Sequence, residues 1–157
     1  MGEKKGLAFI DSNVFVIDLR YKRDRNYRLN RIFLDIVADL KIGSTGVFNL
    51  LEICGILSFN LNEGQLVELY EYLPERYNIG ILPYHDRGLP LPSLHLKDLL
   101  TLIAKRMSLG DALTLAVAEQ ESRRIEAFIS WDAQHFVGKT SLLVKTPREF
   151  VEAHGQG

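Results

Sequence analysis

Short apolar runs alternating with helix-spaced apolar patterns predict an α/β domain whose central sheet is parallel and covered by helices on both faces. Three observations carry this. Leu7-Ala8-Phe9-Ile10 is continuously apolar, as a strand buried on both sides must be. Similar short apolar runs recur at residues 78–82, 125–130 and 142–145. The intervals between them carry helical periodicity, and the 157-residue length suits one compact domain, 1–157, with a core of its own.

The first run ends at Asp11-Ser12-Asn13, residues that favour caps and turns, so a strand delivers Asp11 to its C-terminal end. Leu29, Ile32, Phe33, Ile36, Val37 and Leu40 recur at helical spacing and predict a core-facing helix over about 26–40. A short strand is expected at 41–44, after which Ser44 or Thr45 caps a strongly apolar helix over about 46–59. Asn62-Glu63-Gly64 opens another helix through Leu66, Leu69, Tyr70 and Leu73. The strand at 78–82 closes on Pro83, and residues 83–92, with three prolines, are loop. Helices follow at about 93–107 and 110–122, then a strand at 125–130, a short helix near 133–137, a strand at 142–145 and a last helix from Pro147.

Composition narrows the class. With 46% hydrophobic and 25% charged residues, and 19 Lys+Arg against 20 Asp+Glu, the chain is no disordered tail, collagen-like repeat or uniformly basic nucleic-acid coat. A net charge of −1 says nothing about local distribution, so an acidic polymer can still meet a basic surface. The only cysteine, Cys54, excludes an internal disulfide and a cysteine zinc cage, which suits a reducing compartment. Few apolar residues separate Met1-Gly2-Glu3-Lys4-Lys5-Gly6 from Asp11, too few for a signal peptide or a membrane span. The expectation is a cytoplasmic chain without membrane attachment.

Four acids stand where chemistry is expected. Ligands of open parallel sheets bind at the C-terminal ends of the strands, where Asp11 and Asp132 fall. Asp111 lies in the first turn of a helix, and Glu52 lies inside the most apolar helix, flanked by Leu51 and Ile53. Caps and helix-dipole pairing explain the aspartates equally well, and Glu52 could share a solvated stripe with Asn49. Against the stripe, a glutamate ringed by apolar residues is expected to be drawn inward, where it needs a partner, and no Lys or Arg lies within a turn of it. Four clustered carboxylates would raise each other's pKa unless a divalent cation neutralised them, and oxygen-only ligands point to Mg²⁺ or Mn²⁺.

Phe9-Ile10-Asp11-Ser12-Asn13, Leu51-Glu52-Ile53, Leu109-Gly110-Asp111-Ala112-Leu113-Thr114-Leu115-Ala116, Ser130-Trp131-Asp132-Ala133-Gln134-His135-Phe136 and Lys145-Thr146-Pro147-Arg148-Glu149-Phe150 resemble, in order and spacing, the signatures of the PIN domain, over about residues 7–151. The resemblance implies a three-layer α/β/α sandwich with a central parallel sheet. It implies a metal-dependent endoribonuclease in which Asp11, Glu52, Asp111 and Asp132 hold one or two Mg²⁺ or Mn²⁺ ions, with Ser12 and Ser130 as hydroxyls orienting carboxylates or water. Single-domain members of the VapC type are toxins of toxin–antitoxin pairs, so an antitoxin partner and a homodimer are expected. The apolar residues of about 26–40 and 46–73 suit both. The alternatives are a stand-alone PIN nuclease in RNA processing and a PIN-like interaction module with little catalysis.

Arg20-Tyr21-Lys22-Arg23-Asp24-Arg25-Asn26-Tyr27-Arg28-Leu29-Asn30-Arg31 is either a solvated face or a phosphate-tracking rim for RNA carried by Lys22, Arg23, Arg25 and Arg28. His85, His95, His135 and His154 lack metal-ligand spacing, and His135 is expected to be a surface or packing residue. Asp18, Asp35, Asp39, Asp86 and Asp98 are expected to be exposed. Trp131 either packs at the site or lines an interface. A dehalogenase-like phosphatase would resemble Asp-x-Asp after the first strand, where position 13 is Asn, and a receiver domain would pair acids there.

Overall fold

A computed structural model describes residues 6–154. The N-terminal stretch read as too short for a leader lies mostly outside them. The elements in order are β1 (Leu7–Ile10), α1 (Ser12–Arg20), α2 (Tyr27–Leu40), β2 (Gly43–Gly46), α3 (Val47–Leu57), α4 (Glu63–Tyr77), β3 (Gly80–Leu82), α5 (Leu96–Ala104), α6 (Leu109–Gln120), β4 (Ile125–Ile129), β5 (Val144–Lys145) and α7 (Pro147–His154). Single 3-10 turns occupy Ser58–Asn60 and Ala133–His135. No described helix is long and apolar enough to cross a membrane.

The five strands form one parallel sheet in the order β3-β2-β1-β4-β5, with helices on both faces. Side chains alternate along β1, so Ala8 and Ile10 enter one core while Phe9 enters the other. The first core joins them to Phe33, Leu34 and Val37 of α2, Leu50 and Ile53 of α3, and Phe150 of α7. In the second, Phe9 stacks on Phe128, which meets Phe136, above the apolar face of α6. Burial on both faces is why these strands read as unbroken apolar runs.

β1 lies between β2 and β4, and the chain leaves it first toward β3 and returns on its other side at β4. This reversal opens a crevice at the C-terminal ends of β1 and β4, where doubly wound sheets bind ligands. Ile10 pairs with Ile129, and the Asp11 amide donates to the Ile129 carbonyl at 2.9 Å, so Asp11 sits beside Ser130.

Three local expectations differ. Helix α1 was hidden because Val14-Phe15-Val16-Ile17 is apolar and mostly β-branched, and α1 buries six residues instead of presenting a polar face. The second strand lies at Gly43–Gly46 rather than 41–44, and all four residues are buried. Its small residues suit that position: the Ser44 and Thr45 hydroxyls donate to the Ala8 and Ile10 carbonyls at 2.9 and 2.7 Å. Neither therefore caps α3, whose N-cap is Gly46. Asp18 is only 2% exposed, against the expectation of a surface acid, because Tyr77 and Arg31 donate to it at 2.6 and 2.8 Å. Burial pushes the Asp18 pKa up, and these two donors outweigh it and hold the carboxyl below its ordinary value.

Candidate active site

Asp11 is the fixed point of the crevice. It caps α1, accepting from the Ser12 amide at 2.8 Å, and its other oxygen accepts from the Ser130 hydroxyl at 2.7 Å. Ser130 Oγ in turn accepts from Asn13 Nδ2 and the Asp132 amide, each at 3.0 Å. Asn13 reaches Asp132 Oδ2 at 3.3 Å, and its own carbonyl accepts from the Trp131 amide at 3.3 Å. The ends of β1 and β4 are thus laced together through Ser130 and Asn13.

On the other side of Asp11, Asn49 of α3 is fully buried. Its Nδ2 lies 2.9 Å from Ser12 Oγ, 3.3 Å from Thr114 Oγ1 and 3.4 Å from Asp11 Oδ1, tying α1, α3 and α6 at one point. Asn49 is therefore not on the solvated stripe. Glu52 is on it and exposed, against the expectation of an inward glutamate. The cause is the phase of α3: Leu50, Ile53 and Cys54 face the core, while Leu51, Glu52 and Gly55 face out, and exposed Leu51 conceals that stripe in the sequence. The Glu52 carboxylate reaches over Gly110 at the start of α6, 3.8 Å from where a Cβ would stand.

Asp111 lies in the first turn of α6, which Ser108 caps at 3.2 Å, and is half-buried. His135 Nδ1 lies 3.7 Å from Asp111 Oδ2, so the histidine expected at the surface is exposed and also borders the acids. Only the turn after β4, which folds back toward α6, makes that contact.

The acids act on one another. Burial, reinforced by the charges of Asp111 and Glu52, pushes the Asp11 carboxyl up to about 6, against the lowering effect of Ser130 and the Ser12 amide. Although Glu52 as a residue is exposed, partial desolvation of its carboxyl, followed by the Asp111 charge, also raises its pKa, with Ser12 opposing. Among the described residues, no Lys or Arg forms an ion pair with Asp11, Glu52, Asp111 or Asp132. Nor do three acid, histidine or cysteine side chains among the described residues form a ready-made cation cage. The all-oxygen donor set and the uncompensated charge fit a hard divalent cation, with Asp11 held by Ser12 and Ser130 and Asp132 by Asn13.

The basic rim is divided. Arg31 is used internally, pairing with Asp18 and Asp35 at 2.8 and 2.7 Å, and Arg20 donates to the Ile56 carbonyl. Lys22, Arg23 and Arg28 are exposed, with Lys22 and Arg23 bordering a cleft beside Leu19. Arg25 lies with Trp131 and Arg148 in a separate cleft.

Two solved structures have this architecture. FitAB bound to an IR36 DNA fragment superposes with a TM-score of 0.55 at 16% identity, covering 90% of this chain and 95% of that one. FitAcB from Neisseria gonorrhoeae gives 0.55 at 20% identity, covering 90% and 99%. The fold is PIN-like. At these identities the likeness establishes the fold alone. No family model and no curated protein sequence matches the chain. In this PIN-like domain, Asp11, Glu52 and Asp111 are electrostatic neighbours, and Asp132 joins Asp11 through Ser130 and Asn13. Asn13, Asn49 and His135 are the contributors that spacing alone did not reveal.

Proposed function

We propose that this PIN-like domain is a metal-dependent endoribonuclease, the toxin of a toxin–antitoxin pair. The observation that carries the reading is the buried Asp11, its carboxyl pushed up to about 6 in a crevice where Glu52 and Asp111 add charge and no described Lys or Arg compensates. Asp11, Glu52, Asp111 and Asp132 would hold one or two Mg²⁺ or Mn²⁺ ions. When bound, such a cation supplies Lewis acidity toward a phosphodiester and an attacking water. Ser130 and the Ser12 amide hold the Asp11 carboxylate in one orientation. Asn13 steers Asp132, and Asn49 fixes Ser12 beside Glu52.

An apolar groove of about 410 Å³, walled by Val47, Leu51, Cys54, Leu66 and Tyr70, supports an antitoxin partner at α3 and α4. Leu96, Leu100 and Ile103 are exposed on one face of α5, which supports a homodimer there. Asp11→Asn is expected to lower Mn²⁺-dependent cleavage of single-stranded RNA by at least about a hundredfold, the scale of losing a charge-stabilising group. Cleavage retained within about threefold overturns the assignment.

The lack of a ready-made cation cage among the described residues favours a second reading, a PIN-like interaction module. Calorimetric titration with Mn²⁺ separates the two, since the nuclease reading requires binding that Asp11→Asn abolishes.

A further inference from the structure

A cleft of about 430 Å³ is lined by Arg25, Asn26, Trp131, Thr146 and Arg148. It gathers four chain segments: the loop before α2, the turn after β4, the β5–α7 junction and α7 itself. The Ser130 amide donates to the Lys145 carbonyl at 3.1 Å, which fixes Trp131 against Thr146 at the same end of the sheet as Asp11. The Trp131 amide donates to Asn13, which in turn donates to Asp132, so one asparagine links the backbone of this cleft to the acids.

Its two arginines form no ion pair among the described residues, while the Thr146 hydroxyl accepts from the Glu149 amide. Arg31, Arg76, Arg87 and Arg124 each pair with an acid, but among the described residues neither Arg25 nor Arg148 does. Asn26 occupies the N-cap of α2 without a side-chain cap hydrogen bond. Two guanidinium groups in one cleft repel each other, and an anion between them relieves that repulsion while accepting several N–H donors.

Trp131 is held as a platform. Its indole N–H donates to Asn30 Oδ1 at 2.8 Å, and fully buried Asn30 donates to the Val14 carbonyl at 2.8 Å. The only polar atom of the ring is thereby occupied inside the protein, leaving apolar ring surface to the cleft. Ring surface beside two arginines suits a nucleobase joined to a phosphate, because every base has a face to stack and every nucleotide an anion.

We infer that Arg25, Arg148 and Trp131 form a subsite for a nucleotide of single-stranded RNA, its phosphate held by the arginines and its base against Trp131. The choice of RNA rests on the nuclease reading above. Arg148 and Trp131 lie outside the basic stretch at residues 20–31 and join Arg25 only through the fold.

Trp131 is the only tryptophan in the chain, so its fluorescence reports on this cleft alone. The full chain in EDTA is titrated with an eight-nucleotide uridine RNA, with polyglutamate and with inorganic phosphate. Saturable quenching by the RNA is expected, weakened about tenfold by Arg25→Ala or Arg148→Ala, with the salt slope of the double variant lower by about one. Polyglutamate and phosphate are expected to leave the emission unchanged. No quenching by RNA, quenching that the double variant retains, or equal quenching by polyglutamate overturns the subsite. RNA cleavage by the same proteins with Mn²⁺ in place of EDTA, with and without Asp11→Asn, keeps the two readings apart. Cleavage that depends on Asp11 without any Trp131 response removes the subsite alone. Arginine-dependent quenching without Asp11-dependent cleavage removes the nuclease reading and leaves the subsite.

Discussion

Removing the Asp11 charge is expected to make the metal-free protein more stable at neutral pH while abolishing the proposed nuclease activity. Asp11 is 8% exposed, and its carboxyl is pushed from an ordinary 3.8 to about 6, so the folded chain holds that proton more tightly than the unfolded one. Stability from this group is therefore complete below the unfolded value and is lost as pH rises through the folded one. At about 1.4 kcal/mol per unit, ionising Asp11 costs the fold about 3 kcal/mol in all, of which about 2 falls between pH 4.5 and 7.5. The side-chain amide that Asp11→Asn introduces cannot ionise, but it meets two donors, the Ser12 amide and the Ser130 hydroxyl, with a single acceptor oxygen. That mismatch costs about 1–2 kcal/mol at every pH. The two effects cross: Asp11→Asn should melt a few degrees above the wild type near pH 7.5 and level with it or slightly below near pH 4.5, taking about 2–4 °C per kcal/mol at this size. Thermal melts in EDTA, followed by circular dichroism, test this. A Tm difference that is the same at both pH values would refute the strained-carboxylate reasoning.

Divalent cation should act in the opposite sense. Saturating Mn²⁺ is expected to raise the wild-type Tm by about 5–10 °C, the effect of ligand at about a hundred times its Kd, and to leave Asp11→Asn unmoved; equal shifts in both proteins would show binding elsewhere. Ser130→Ala removes the donor that lowers the Asp11 pKa, so the acid limb of the cleavage pH profile should move to higher pH, and an unmoved limb would show that Ser130 does not tune Asp11. Asp18→Ala leaves Tyr77 and Arg31 without their shared acceptor and should cost about 2–3 kcal/mol by urea denaturation with cleavage retained. Because the folded Asp18 pKa lies below its ordinary value, its contribution is present at neutral pH and lost as pH falls into the acid range, so the Asp18→Ala penalty should shrink there.

Much of the architecture was legible one segment at a time. The apolar run at Leu7–Ile10, the helical spacing over about 26–40 and the helix start at Asn62-Glu63-Gly64 are all decided by residues close together in the chain. The same local reading missed α1 and placed β2 two residues early. There, burial on every side removed the polar face that would mark a helix and selected small residues of weak strand preference.

At the site, the sequence by itself determined which acids stand at element ends: Asp11 as the cap after β1, Asp111 in the first turn of α6 and Asp132 in the turn after β4. Those positions follow from backbone donors that every strand end and helix start leaves open. Only the tertiary structure decided that β4 lies against β1 and so brings Ser130 to Asp11, that Asn49 and not Glu52 is the buried polar residue of α3, and that Arg25, Trp131 and Arg148 line one cleft. Each of these joins residues far apart in sequence, and which strand edges meet and which helix stripe turns inward is set by packing the two faces of the sheet together, a condition on the whole chain that no local spacing encodes.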